Sequence, residues 1–144
     1  MIIYLDTSAL VKVYIEEASS SEVIRWISEA EVVGVSLLSK VEVAAAFAKA
    51  ARMGIISRQE ADVVWKQFLK DWPSLYKIKV HEYVLDKASE LAWTYGLRGY
   101  DAVHLAVALY WQDVLGEAVT MVSFDRLLWR AAVEAGLSVL PDGR

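Results

Sequence analysis

Short apolar runs alternate with longer stretches of helical periodicity along this chain, and turn residues separate them. Met1–Leu5 reads as a strand. Asp6-Thr7-Ser8 then supplies three residues that favour a helix N-terminus, and a helix is expected from Ser8 to Ile15. Ser19-Ser20-Ser21-Glu22 has capping-box spacing and opens a second helix to Ala30, with Val23, Trp26 and Ile27 on its inner face. Glu31–Ser36 is a short β-branched strand. Ser39-Lys40-Val41-Glu42 repeats the capping-box pattern ahead of an Ala-rich helix that ends at Gly54. Ser57-Arg58-Gln59-Glu60 starts another helix in the same way, running to Asp71, and Pro73 prevents its continuation.

Leu75–Val80 is a third strand, and His81–Tyr95 a helix stopped by Gly96. The segment from Tyr100 to Leu115 is apolar around most of its circumference, which predicts a central helix. Glu117–Ser123 is a fourth strand, Asp125–Ala135 a helix ended by Gly136, and Leu137–Leu140 a last strand. Residues 141–144 are expected to fray. The order β-α-α-β-α-α-β-α-α-β-α-β argues for an α/β fold with a parallel sheet flanked by helices. No repeat, low-complexity tract or linker interrupts it, so residues 1–144 are expected to form one domain.

Composition changes this picture in three ways. The chain is 56% hydrophobic over 144 residues, enough for one substantial core, yet no stretch nears the ~20 apolar residues of a membrane span. Met1–Leu5 is also too short for a secretory signal, and a cytoplasmic location is expected. The absence of cysteine excludes disulfides, thiolate metal sites and a Cys nucleophile. The net charge of −4 is not that of a high-affinity binder of long nucleic acid, so any RNA contact must come from a local patch or a dimer.

Four acids carry the candidate chemistry: Asp6, Glu42, Asp101 and Asp125. Asp6, Glu42 and Asp125 each follow an apolar run that reads as a strand, and Asp101 opens a helix. In a parallel α/β sheet the carboxyl ends of the strands and the neighbouring helix starts meet at one crevice. Carboxylates gathered there repel one another unless a cation lies between them, and oxygen-only ligands suit Mg²⁺ or Mn²⁺. Each acid alone has an ordinary explanation. Asp6 and Asp125 could cap helices, Glu42 could complete its own capping box, and Asp101 could complement a helix dipole. Their joint placement on one sheet edge favours a shared metal-dependent site.

The stretches carrying these acids resemble the four motifs of PIN-domain nucleases. They are Ile3-Tyr4-Leu5-Asp6-Thr7-Ser8-Ala9-Leu10, Ser39-Lys40-Val41-Glu42-Val43-Ala44, Tyr100-Asp101-Ala102-Val103-His104-Leu105-Ala106 and Val122-Ser123-Phe124-Asp125-Arg126-Leu127-Leu128. They occur in the family's order and span nearly the whole chain. Its length and the helix pair between Ser39 and Asp71 look most like VapC toxins of toxin–antitoxin operons. The resemblance implies a five-stranded parallel sheet between helices and Mg²⁺- or Mn²⁺-dependent RNA cleavage. It also implies an acidic quartet at Asp6, Glu42, Asp101 and Asp125, with supporting hydroxyls at Thr7 and Ser123. Thr is commoner in the family than Ser at the latter position, but the hydroxyl is kept.

On this reading Asp6 and Asp101 are the main direct ligands. Asp125 and Glu42 ligate a second ion, hold waters or act as base, and one or two ions both remain open. Water attack would leave a 5′-phosphate and a 3′-hydroxyl. The resemblance further implies a homodimer and a VapB-like antitoxin partner, bound around the helices that carry Val43, Phe47, Trp65, Phe68 and Trp72. Ordinary packing of those helices on each other explains the same stripe.

Other residues weigh less. His104 lies one turn beyond Asp101 and could contact the site or a phosphate, but reads better as a histidine packed behind the site or in the core. Lys12, Lys40, Lys49, Arg52, Arg98 and Arg126 could reach phosphates, with Lys40 and Arg98 nearest the acids in sequence. Trp93 and Trp111 read as core. A phosphoacceptor domain would want paired acids near the first strand and a late Lys, and a haloacid-dehalogenase-like phosphatase would want Asp where Ser8 stands. A housekeeping PIN nuclease, or an inactive scaffold, stays within the same fold.

Overall fold

In the computed structural model, which describes residues 1–143, the elements follow the order that the sequence pattern predicts. They are β1 (Ile2–Leu5), α1 (Thr7–Val11), α2 (Ser20–Glu29), β2 (Val32–Ser36), α3 (Ser39–Arg52) and α4 (Arg58–Asp71), followed by β3 (Tyr76–Ile78), α5 (Glu82–Tyr95), α6 (Gly99–Leu115), β4 (Val119–Val122), α7 (Arg126–Ala135) and β5 (Ser138–Leu140). All strand pairs are parallel, in the order β3-β2-β1-β4-β5. β1 therefore lies at the centre. The chain builds outward to β2 and β3, then returns past β1 to lay down β4 and β5. The crevice expected at such a reversal opens between the carboxyl ends of β1 and β4.

Strand alternation divides the core between the two faces of the sheet. Ile3 and Leu5 pack with Val23, Val43, Phe47 and Phe68 from one helical layer. Tyr4 points the other way, into Leu105, Ala106, Ala108 and Trp111 of α6 and Leu128 of α7. α6 is central as its apolar circumference predicts, with seven buried residues. Gly34 of β2 lets the Trp111 indole lie directly on the strand, since a Cβ there would fall within 3.0 Å of two ring carbons. Among the described residues, no helix is long and apolar enough to cross a membrane.

Several local expectations fail. α1 is shorter than predicted and ends at Val11. Ser19 makes no cap for α2; instead Ser20 Oγ accepts from the Glu17 amide. The capping box at Ser57 and Glu60 forms as its spacing predicts, but the same pattern at Ser39 and Glu42 does not. Ser39 is buried with its hydroxyl unpartnered, and Glu42 turns elsewhere. Trp93 is 92% exposed rather than core, whereas Trp111 is buried as expected. The tail is anchored at its start, where Trp129 Nε1 donates to the Pro141 carbonyl, while Arg144 lies outside the described residues.

Candidate active site

The pairing of Leu5 with Val122 brings Asp6 and Ser123, the residues just beyond β1 and β4, side by side. Asp6 is the N-cap of α1, as its sequence context allows: Oδ1 accepts from the Ala9 amide and from Ser8 Oγ. Its other oxygen accepts from Ser123 Oγ. The same Ser123 hydroxyl accepts from the Asp125 amide at 3.2 Å. Asp125 caps α7 through its Oδ1 and the Leu128 amide. Both residues are therefore caps, and each cap commits a backbone donor to one carboxylate and fixes its direction.

The remaining two acids enter from first turns. Asp101 lies in the first turn of α6, and Arg98, just before that helix, bridges Asp101 at 3.2 Å and Asp125 at 3.3 Å. The guanidinium is 81% exposed, so it approaches the two carboxylates from the solvent side. Glu42, in the first turn of α3, receives His104 Nε2 at 2.8 Å. That imidazole also meets Thr7 Oγ1 at 3.3 Å and Tyr4 Oη at 2.7 Å. The four predicted acids fall into two bonded groups, Glu42 with His104 and Thr7, and Asp6 with Ser123 and Asp125, the latter joined through Arg98 to Asp101; Thr7 follows Asp6 directly in the chain.

The electrostatics follow from burial in a negative crevice. Asp6 is 3% exposed, and burial pushes its carboxyl above the usual range, against the lowering pull of His104, Ser123 and Ser8. Burial and then Asp125 push Asp101 up, with Arg98 opposing. For His104, burial pulls the imidazole down, but the hydrogen bond and charge of Glu42, with Asp6 and Asp101, outweigh it and leave it raised. Tyr4 is held well above a normal phenol, first by burial and then by Asp6 and Glu42. Burial is the first cause of both carboxylate shifts, and the hard oxygen donors of these side chains match Mg²⁺ or Mn²⁺ rather than softer ions. No group of three or more His, Cys, Asp or Glu among the described residues is drawn together tightly enough to form a ready metal cage. Arg98 bridges Asp101 and Asp125, and His104 meets Glu42.

Tyr4 and Ser8 are the site residues that the sequence reading missed. Asp-x-Ser spacing was a signal for Ser8, which ties Asp6 to the Phe124 amide. A tyrosine in an otherwise apolar central strand was a signal for Tyr4. Of the basic candidates, Arg98 reaches the acids. Lys12 is instead tied to Glu17, the Ala18 carbonyl and the Phe124 ring, and Lys40 lies over Trp72.

Away from the acids, α3 and α4 enclose a groove of about 450 Å³ lined by Ala44, Phe47, Ala48, Ala51, Ala61 and Trp65. Arg52, Arg58 and Asp62 stand at its rim. Phe68 beneath it is fully buried, with Trp65 and Trp72 against it, so the predicted aromatic stripe packs in the core along one side.

A five-stranded parallel sheet with four acids at its central switch point defines a PIN-like class of protein, and comparison agrees. The PIN domain family matches residues 3–134, and the chain belongs to it. Ribonuclease VapC45 of Mycobacterium tuberculosis is 34% identical over 97% of this chain and 95% of its own length. The crystal structure of PAE2754 from Pyrobaculum aerophilum superimposes with a TM-score of 0.69 at 22% identity, covering 96% of this chain and 89% of that one. VapBC2 from Rickettsia felis, solved bound to a DNA fragment from its promoter, aligns at 0.65 and 16% identity over 96% and 97%.

Proposed function

We propose that this chain is a metal-dependent endoribonuclease of the VapC type, the toxin of a toxin–antitoxin pair. The observation that carries this reading is Glu42. It leaves the capping box that its own sequence offers and pairs instead with His104, the imidazole that also feels Asp6 and Asp101. The identity to VapC ribonucleases over nearly the full length supports RNA as the substrate.

Asp6, Glu42, Asp101 and Asp125 would hold Mg²⁺ or Mn²⁺, which when bound lowers the pKa of water and neutralises charge on the phosphate. The chain's own residues do the rest. Ser123 fixes the angle between Asp6 and the Asp125 backbone, and Ser8 and the Ala9 amide hold the opposite side of Asp6. The exposed guanidinium of Arg98 is placed to take a phosphate oxygen of the substrate. The α3–α4 groove, apolar within and charged at the rim, fits the apolar face of an antitoxin segment. A toxin–antitoxin complex from Klebsiella pneumoniae among the structures of similar fold supports such a partner. A single-domain chain, a homodimer and a cytoplasmic location belong to the same proposal.

The test is cleavage of a mixed RNA substrate by the purified chain with Mn²⁺, with EDTA, and by Asp6→Asn. Metal-dependent cutting lost in the variant supports the reading. Cutting that survives the substitution refutes the assigned site.

A further inference from the structure

We infer that His104 is a positioning residue, oriented by Tyr4, that sets the direction of the Glu42 carboxylate in the acidic crevice. The inference rests on the metal-site reading above and deepens it.

Tyr4 is fully buried in the central strand, and His104 is 2% exposed on the central helix. Tyr4 packs among Leu105, Ala106, Ala108 and Leu128, with Ser36 beside its hydroxyl. Phe and Leu would fill the same space without any polar group to desolvate, so a phenol and an imidazole here need a compensating bond. They find it in each other at 2.7 Å, with the rings edge to face. The second ring nitrogen then leaves the core and reaches Glu42 Oε1 at 2.8 Å.

Chemistry fixes the direction of that contact. A carboxylate only accepts, so His104 Nε2 carries the hydrogen and donates it. In the neutral imidazole Nδ1 then accepts from the Tyr4 hydroxyl, which selects the Nε2–H tautomer. The Thr7 hydroxyl at 3.3 Å shares the same side of the ring. Four elements, β1, α1, α3 and α6, thus converge on one imidazole. Glu42 Oε1 accepts this bond, which fixes the orientation in which the carboxylate is offered to a cation.

His104 also lies one helical turn from Asp101, so the helix that places one acid directly places another through its histidine. The arrangement matches the general pattern in which outer groups orient metal-binding side chains, and their loss typically weakens metal affinity about 10- to 100-fold.

The experiment measures Mn²⁺ affinity by electron paramagnetic resonance, with no RNA present, alongside Tm in EDTA. His104→Leu is expected to weaken Mn²⁺ binding about 10-fold. His104→Gln, whose amide can still donate toward Glu42, is expected to recover most of that loss. Tyr4→Phe keeps the core filled and is expected to weaken binding by a smaller factor, which guards against misfolding of the Leu variant. In a Glu42→Gln background, His104→Leu should cause no further loss. A full additional loss in that background overturns the inference, because the histidine would then act through the fold at large. Equal affinity of His104→Leu and wild type overturns it too. Asp6→Asn separates the two levels: if it abolishes Mn²⁺ binding while the histidine variants do not, this inference fails and the metal-site reading stands. If Asp6→Asn binds normally, the metal-site reading itself fails.

Discussion

Replacing Gly34 with Ala tests how tightly the central helix is pressed onto the sheet. A Cβ at Gly34 falls inside 3.0 Å of Trp111 Cη2 and Cζ3 and reaches Ile78 Cδ1 at 3.1 Å. Carbon–carbon contacts are comfortable near about 3.5–4.0 Å, so the indole must retreat by roughly 1 Å. It has little room to do so, being 3% exposed, with Tyr76 stacked on it at 5.5 Å and 10° between planes. Either Tyr76 is displaced, or α6 lifts from β2. Overpacking of this kind costs about 1–3 kcal/mol, and a rigid ring against backbone belongs at the upper end. For a chain of this size that is a fall in Tm of roughly 6–9 °C, at about 3 °C per kcal/mol. Urea unfolding should show a lower midpoint with an unchanged slope. Trp111→Leu in the same chain makes room, so the double variant should lie at least about 1 kcal/mol above the sum of the single losses. Gly34→Ala within about 0.5 kcal/mol of wild type, or strict additivity in the cycle, would refute the packing argument.

Three other predictions follow from the site and its supports. Burial raises the Asp6 carboxyl in the folded state, so its protonated form contributes stability below the unfolded value of about 3.9, and that contribution is lost as pH rises through the folded value. In EDTA, Asp6→Asn should therefore gain in Tm relative to wild type as pH rises from the carboxylate range toward neutrality; a constant difference across pH contradicts this. Arg98→Gln removes the cation that spans Asp101 and Asp125, so the ion-free protein should melt lower while Mn²⁺ raises Tm by more than in wild type; an unchanged response to Mn²⁺ would sink the idea. Ser57→Ala breaks a formed capping box and should cost about 1 kcal/mol, whereas Ser39→Ala, whose hydroxyl bonds nothing, should stay within about 0.5 kcal/mol. Equal losses for the two serines, measured by denaturant midpoint, would show that the sequence pattern rather than the formed bonds carries the energy.

Those two serines also mark where sequence stops being sufficient. The order of elements, the central position of α6 and the caps at Asp6, Ser57 and Asp125 were legible, because periodicity and capping act over a few neighbouring residues. The four acids could be picked out as candidates for a related reason. Strand ends and helix starts have local signatures, and a parallel sheet brings such points to one edge. The internal links of the site were not legible. Ser39 and Glu42 carry the same cap pattern as Ser57 and Glu60, yet Glu42 turns to an imidazole 62 residues away. Arg98 spans two acids because α6 and α7 begin side by side, and Tyr4 matters because β1 faces α6. Trp93 looks like core by helical spacing and ends almost fully exposed. Sequence by itself determined which residues could carry the chemistry. Only the tertiary structure decided their partners, because a buried side chain bonds to whichever polar group packing brings within reach.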